Sequence, residues 1–255
     1  ICVLEAKREG LHPLVAKVQA REYAKTVDAQ FIILSNGIVH YLWDTKKGNP
    51  KPIYKFPSAS EIGAIKEWNP DRNALANEPV AYDYIASVQM PDYAERPEWN
   101  GSIETSKDFI WTNGLKFLRP YQLSAIRHLQ KAVTNGKDRF LFEMATGTGK
   151  TLTSAAIIRL FLRTQNARRV LFLVDRLELE DQAWKAFMNN LKPDYTTFIY
   201  KEHKSDWRQA DIIVTTIQSL MFNDKYRYEF TPTDFDLIVS DESHRSISGN
   251  ARAVF

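Results

Sequence analysis

The chain has 255 residues, 44% of them hydrophobic and 25% charged, which suits one large or two modest globular cores. Eleven prolines and ten glycines are too few for a disordered or fibrous protein, and a net charge of +3 permits a nucleic-acid partner without arguing for one. The single cysteine, Cys2, excludes an internal disulfide and fits a reducing compartment; no apolar run approaches the roughly 20 residues of a membrane span, so no membrane partner is expected.

The chain opens on an apolar run without Met, a basic leader or a cleavage site, and it stops at Phe255. Both ends are therefore expected to belong to a longer protein. Residues 1–7 predict a strand, and residues 13–27 predict a helix from the spacing of Leu14, Val15, Val18, Ala20, Tyr23 and Val27. Two β-rich runs, 30–35 and 38–43, are joined by Asn36-Gly37, a strong hairpin signal. Residues 46–114 are broken by prolines at 50, 52, 57, 70, 79, 91 and 97. They predict an irregular connecting region with short helices near 60–68 and 79–88. From Leu115 the pattern is regular α/β. Helices are predicted at 120–134, 150–164, 177–190 and 216–222, and strands at 139–143, 169–174, 196–200, 211–215 and 236–240. Short apolar strands alternating with helices imply a parallel sheet covered on both faces.

The run Met144-Ala145-Thr146-Gly147-Thr148-Gly149-Lys150-Thr151 follows a predicted strand and opens a helix, the context of a phosphate-binding loop. Glycines let the backbone turn its N–H groups toward phosphates, and the helix N-terminus adds partial positive charge. Lys150 would reach the β- and γ-phosphates of ATP, and the Thr151 hydroxyl would ligate Mg²⁺. The strict pattern has Gly where this chain has Met144. About ninety residues on, the predicted strand Leu237-Ile238-Val239-Ser240 ends in Asp241-Glu242. An isolated acidic pair after a strand is usually a solvated turn, but its place behind a phosphate loop in one α/β unit reverses that reading. Asp241 is assigned to the metal and Glu242 to the attacking water.

Together these two elements resemble motifs I and II of superfamily 2 helicases, the second as a DExH box. The resemblance gives His244 a coupling role. Leu118-Arg119-Pro120-Tyr121-Gln122 resembles the adenine-reading Gln element, which implies base contacts from Gln122 and Arg119. Residues 174–182 resemble motif Ia, and residues 214–219 resemble motif Ib. In that family these regions touch the nucleic-acid backbone, which makes Arg176, Thr216 and Gln218 candidates. The second motor lobe supplies arginines for catalysis in this family, so nucleotide binding with negligible turnover is expected of the chain by itself.

At the N-terminus, Glu5 and Lys7 share one face of an otherwise apolar predicted strand, where two charges need a reason. Gln19 and Tyr23 share a face of the next helix, and the hairpin follows. This resembles the back half of a PD-(D/E)xK nuclease core with the Gln-x-x-x-Tyr element of restriction motor subunits. By that resemblance Glu5 binds Mg²⁺, while Lys7 positions water or stabilises charge on the phosphorane-like transition state. The first acidic ligand of that family lies upstream of this strand. His12, His40, His128, His203 and His244 show no metal-ligand spacing, so no zinc site is expected.

The expectation is thus an α/β protein in three parts. These are the C-terminal half of a nuclease core at 1–45, a connecting region at 46–114 and a RecA-like lobe at 115–255. A nuclease core followed by a helicase lobe resembles the restriction (R) subunit of type I restriction–modification systems. That resemblance implies ATP-driven translocation of double-stranded DNA, endonucleolytic cleavage, and a complex with methyltransferase and specificity subunits in a bacterial or archaeal cytoplasm. The rival readings are a DNA or RNA helicase with an unrelated N-terminal cap, a type III restriction subunit, and a scaffold with a vestigial nucleotide site.

Overall fold

The computed structural model describes residues 2–45, 50–63, 69–192, 194–204, 207–222, 229–230 and 234–242. The chain divides into two compact units, one of Ile1–Asn69 with Leu220–Phe235 and one of Pro70–Ser219 with Asp236–Phe255.

In the first unit, β1 (Cys2–Ala6) pairs in parallel with β2 (Phe31–Ser35), which pairs antiparallel with β3 (His40–Asp44) and through it with β4 (Lys51–Ile53). The Asn-Gly signal marks the hairpin, though the loop is longer than a two-residue turn. Asn36 Oδ1 accepts from the amides of Ile38 at 3.1 Å and Val39 at 2.8 Å, Gly37 takes a φ of 89°, and β3 starts only at His40. An Asx turn of this kind supplies the local hydrogen bonds that a tighter turn would otherwise make.

Helix α1 (Lys17–Thr26) follows a short 3-10 turn at Pro13–Ala16. Ala16, Ala20 and Ala24 fall four apart, on one face, and are buried against Ile32, Leu34 and Trp43 of the sheet. Small side chains along that row seat the helix close to the strands. Gln19 and Tyr23 precede two of these alanines by one residue, which turns them about 100° away from the sheet contact. Lys17 is buried as well; its ammonium lies 3.7 Å from Asp234 Oδ2 and 5.3 Å from the Trp43 ring centre. Helix α2 (Ala59–Gly63) completes the regular elements described in this unit.

The second unit holds a four-stranded, all-parallel sheet in the order β6-β7-β5-β8. Its strands are β5 (Val170–Val174), β6 (Thr197–Ile199), β7 (Ile212–Thr216) and β8 (Leu237–Ser240). Every residue of β5 and β7 is buried, as expected for central strands covered on both faces. Helices α6 (Pro120–Thr134), α7 (Lys150–Arg163), α8 (Leu177–Leu191) and α9 (Ile217–Met221) fall within a residue or two of their predicted bounds.

Two expectations for this unit need correction. Residues 139–143, predicted as a strand, carry no ladder pairing. Their alternation survives, since Phe140 and Phe142 pack on the core while Leu141 is 81% exposed, but the inter-strand hydrogen bonds are not made. The stretch 46–114 is also not one connecting region. From Pro70 onward it belongs to the second unit, where Leu75, Val80, Tyr84 and Ile85 join the main core.

That stretch contains α3 (Arg72–Asn77), α4 (Ala86–Gln89) and α5 (Ile103–Thr112). It is held by side chains that bond to its backbone. Gln130 Nε2 donates to the carbonyls of Leu75 and Glu78 at 3.0 and 2.8 Å, and Asn166 Nδ2 donates to that of Asp71 at 2.7 Å. Buried Arg159 donates to the Tyr84 carbonyl at 2.8 Å and stacks 4.2 Å over its ring. Trp99 packs between Tyr93 and Phe117 in a smaller cluster, which gives it a core role.

Candidate functional site

The phosphate loop spans the turn that opens α7. Gly149, at its N-cap, has a φ of 81° and Gly147 a φ of 80°, a region that side-chain-bearing residues avoid. A Cβ on Gly149 would stand 2.8 Å from Gln122 Nε2, so both the conformation and the close approach require glycine. Lys150 extends from the first turn toward the C-terminal edge of the sheet. Its Nζ lies 2.5 Å from Glu242 Oε1 and 4.0 Å from Asp241 Oδ1. The hydrogen bond that Lys150 donates to Glu242 raises the pKa of the ammonium above its ordinary value, with burial opposing and the charges of Asp241 and Glu242 adding to the rise.

The two acids sit at the end of β8, where the Asp241 amide donates to the Leu173 carbonyl at 2.9 Å. The Glu242 amide donates to Asp241 Oδ1 at 3.1 Å, and Glu242 itself has a φ of 53°. A non-glycine residue in that region is strained, and such strain gathers at functional positions. The site thus gathers one cation and two carboxylates at a strand edge, beside a glycine turn and a helix N-terminus. Hard oxygen donors from Asp241, Glu242 and Thr151 suit Mg²⁺, and the loop suits a polyphosphate. Thr146 and Thr148 lie in the loop. Thr148 Oγ1 donates to the Ala145 carbonyl at 2.6 Å.

Gln122 takes a different place from the one the helicase resemblance implies. It is only 1% exposed. Its Oε1 accepts from the Arg119 amide at 2.8 Å, and its Nε2 donates to the Gly149 carbonyl and Thr153 Oγ1, both at 3.1 Å. Both ends of the amide are therefore spent inside the protein, one closing the N-terminus of α6 and the other bracing the phosphate loop. The groups of this element that face outward are Arg119 and Tyr121; the Tyr121 hydroxyl accepts from Arg119 Nη1 at 3.2 Å and donates to the Thr148 carbonyl at 2.6 Å.

In the first unit the four N-terminal candidates form one hydrogen-bonded chain. Lys7 Nζ donates to Glu5 Oε1 at 2.8 Å and to Gln19 Oε1 at 3.0 Å, and Gln19 Nε2 donates to the Tyr23 hydroxyl at 3.0 Å. Period-two alternation on β1 and the i, i+4 spacing on α1 bring them together. Among the described residues no cluster of three or more His, Cys, Asp or Glu side chains gathers. Glu5 thus offers one of the several oxygen donors that Mg²⁺ takes.

Of the predicted DNA contacts, Arg176 and Gln218 are exposed. Thr216 is not, at 1% exposure. Its hydroxyl donates to Ser219 Oγ at 2.8 Å and accepts from the Ser219 amide at 3.1 Å, which makes it the cap of α9 and not a surface contact. His244 lies outside the described residues.

The sequence profile of the family described as "Type III restriction enzyme, res subunit" matches residues 116–255, more than half of the chain. The chain belongs to this family. The matched residues hold the parallel sheet, the phosphate loop and the Asp241-Glu242 pair, which fit a RecA-like lobe.

Among curated proteins this res-family chain is similar to type I restriction subunits. It is 28% identical over 254 residues to the EcoAI endonuclease subunit of Escherichia coli, covering 96% of this chain and 28% of that protein. It is 38% identical over 134 residues to the EcoKI endonuclease subunit of E. coli K12, covering 50% of this chain and 12% of that one. The res-family chain therefore spans about a quarter or less of these relatives. A fragment of an HsdR subunit of a type I restriction enzyme from Vibrio vulnificus aligns with all of this chain and 41% of its own, at 24% identity and a TM-score of 0.39. No helix among the described residues is long and apolar enough to cross a membrane.

Sequence reasoning passed over Tyr121, Thr153 and Glu180. Only the last left a signal. Glu180 precedes Ala183 and Phe187 by three and seven positions, so an acid stands on the apolar face of α8.

Proposed function

We propose that this res-family chain is the nuclease–motor part of a type I restriction endonuclease subunit, which hydrolyses ATP to translocate double-stranded DNA and cleaves it. The observation that carries this is the presence in one chain of two assembled polar sites. One is the Lys150–Glu242–Asp241 cluster and the other is the Glu5–Lys7–Gln19–Tyr23 chain. A helicase with a passive cap has no need of the second.

In the motor, Lys150 leaves its carboxylate partners to hold the β- and γ-phosphates of ATP. Thr151 and Asp241 hold Mg²⁺, which neutralises phosphate charge when bound. Glu242 is then free to orient the attacking water. Arg119 and Tyr121 face the base, while Gln122 keeps the loop in shape. In the nuclease, Gln19 and Glu5 aim the Lys7 ammonium, which stabilises negative charge on the phosphoryl oxygens as the phosphodiester is attacked. Glu5 supplies one carboxylate oxygen to a Mg²⁺. The partners are duplex DNA and the methyltransferase and specificity subunits of the same system, in a bacterial or archaeal cytoplasm.

Translocation is tested by displacement of a triplex-forming oligonucleotide from linear duplex by the full-length subunit with its partners. Displacement that requires ATP, with the duplex left paired, is the expected result. Strand separation in place of displacement would move the assignment to a helicase.

A further inference from the structure

Glu180 is fully buried in the first turn of α8, four residues after Arg176. A carboxylate inside a protein costs several kcal/mol unless it is paired, and well-packed apolar replacements are often as stable. Its partners here come from two different elements. Oε1 accepts from the Thr216 amide at 3.0 Å, and Oε2 lies 2.9 Å from the ammonium of Lys201, just beyond β6. Thr216 is the last residue of β7, two before Gln218, and its own hydroxyl caps the helix that carries Gln218. One side chain thus ties the start of the helix that bears Arg176 to the turn that bears Gln218. Lys201 holds that side chain from the surface.

We infer that Glu180 is a positioning residue for DNA binding, which fixes the exposed Arg176 and Gln218 at the separation a nucleic-acid backbone requires. This rests on reading those two residues as DNA contacts. A guanidinium and an amide that reach phosphates from two elements bind well only when the elements are held in register, and displacement of about 1 Å can cost up to two orders of magnitude.

The test measures DNA-stimulated ATP hydrolysis by the full-length subunit as linear duplex of random sequence is titrated. Affinity for a fluorescent ADP analogue is measured beside it. Glu180→Met fills the same space without an acceptor, and Glu180→Gln keeps one. The Met variant is expected to raise the half-saturating DNA concentration about tenfold or more, while the Gln variant stays within about threefold. Affinity for the ADP analogue is expected to hold in both. Equal behaviour of Met and Gln variants, or no change in either, overturns the proposal. If the Met variant does not fold, Lys201→Met decides at a half-exposed position. A rise of about fivefold or more, beyond that of the Gln variant, supports the tie, and a rise no larger than the Gln variant's refutes it. Arg176→Ala runs alongside. If it leaves the DNA dependence unaltered, the DNA-contact reading itself fails and the proposal with it; if it weakens binding while the Glu180 variants do not, only the positioning role fails.

Discussion

Lys150 and Gln122 show how much of this site depends on single side chains. Lys150 lies between two carboxylates, and its replacement by Ala leaves Asp241 and Glu242 facing each other without a cation. We expect Lys150→Ala to lower DNA-stimulated ATP hydrolysis by roughly two to three orders of magnitude, the loss typical of removing one charge-stabilising donor, read in a steady-state phosphate-release assay. Gln122→Ala strips the Arg119 amide of its acceptor and the loop of its brace. Its cost to stability is about 1–3 kcal/mol, the penalty for unsatisfied buried polar groups, measurable by urea unfolding. A protein unchanged in stability would contradict the bracing role. Tyr84 offers a pH signature. Burial pushes its phenol up to about 12, with Arg159 opposing. Because the raised value favours the neutral phenol in the fold, its contribution to stability is full below about pH 10 and is lost as pH rises toward about 12. Burial also raises the phenols of Tyr93 and Tyr195, so spectrophotometric titration should show a late-ionising group of tyrosines, and Tyr84→Phe should lower that late component by one tyrosine.

At the scale of elements, the regular α/β region was legible because its local signals agree. Pro120 stands at N1 of α6, Gly149 at the N-cap of α7, the buried strand β5 reads as an unbroken apolar run, and β7 opens on the β-branched run Ile212-Ile213-Val214. Helix α5 was not legible. None of its residues is fully buried; Phe109 and Ile110 pack partly against the smaller cluster, and the Ser102 cap, which accepts from the Thr105 amide at 3.2 Å, is its clearest local signal. The corrected strand at 139–143 failed for the opposite reason: alternation is local, whereas ladder pairing depends on a distant partner. The Glu5–Lys7–Gln19–Tyr23 grouping was readable because both periods that build it are local, two on β1 and four on α1. The inward turn of Gln122 and Thr216 was not, because the groups they bond to decide it. The alanine row of α1 carries its own prediction. Ala20→Leu would overpack the seat of the helix on β2 and β3, costing about 1–3 kcal/mol by thermal unfolding, and would draw Gln19 away from Lys7. Cleavage should fall with it while ATP hydrolysis persists; the reverse pattern would contradict the placement.

For the whole molecule, the division of the chain departs from its order along the sequence. Residues Leu220–Phe235, between the Thr216 turn and the Asp241-Glu242 strand, belong to the first unit, where Asp234 meets buried Lys17. No sequence pattern announces this, since the pair is more than two hundred positions apart. One chain of the res family carries two assembled sites, each with its own lysine. The most direct measurement is cleavage of closed circular plasmid by the full-length subunit with its methyltransferase and specificity subunits, with and without ATP, beside the Lys7→Ala and Lys150→Ala variants. Cutting should require ATP and vanish in both variants, while Lys7→Ala retains DNA-stimulated ATP hydrolysis. Plasmid cut as well by Lys7→Ala as by the parent would leave the first unit a structural cap beside a helicase-type motor.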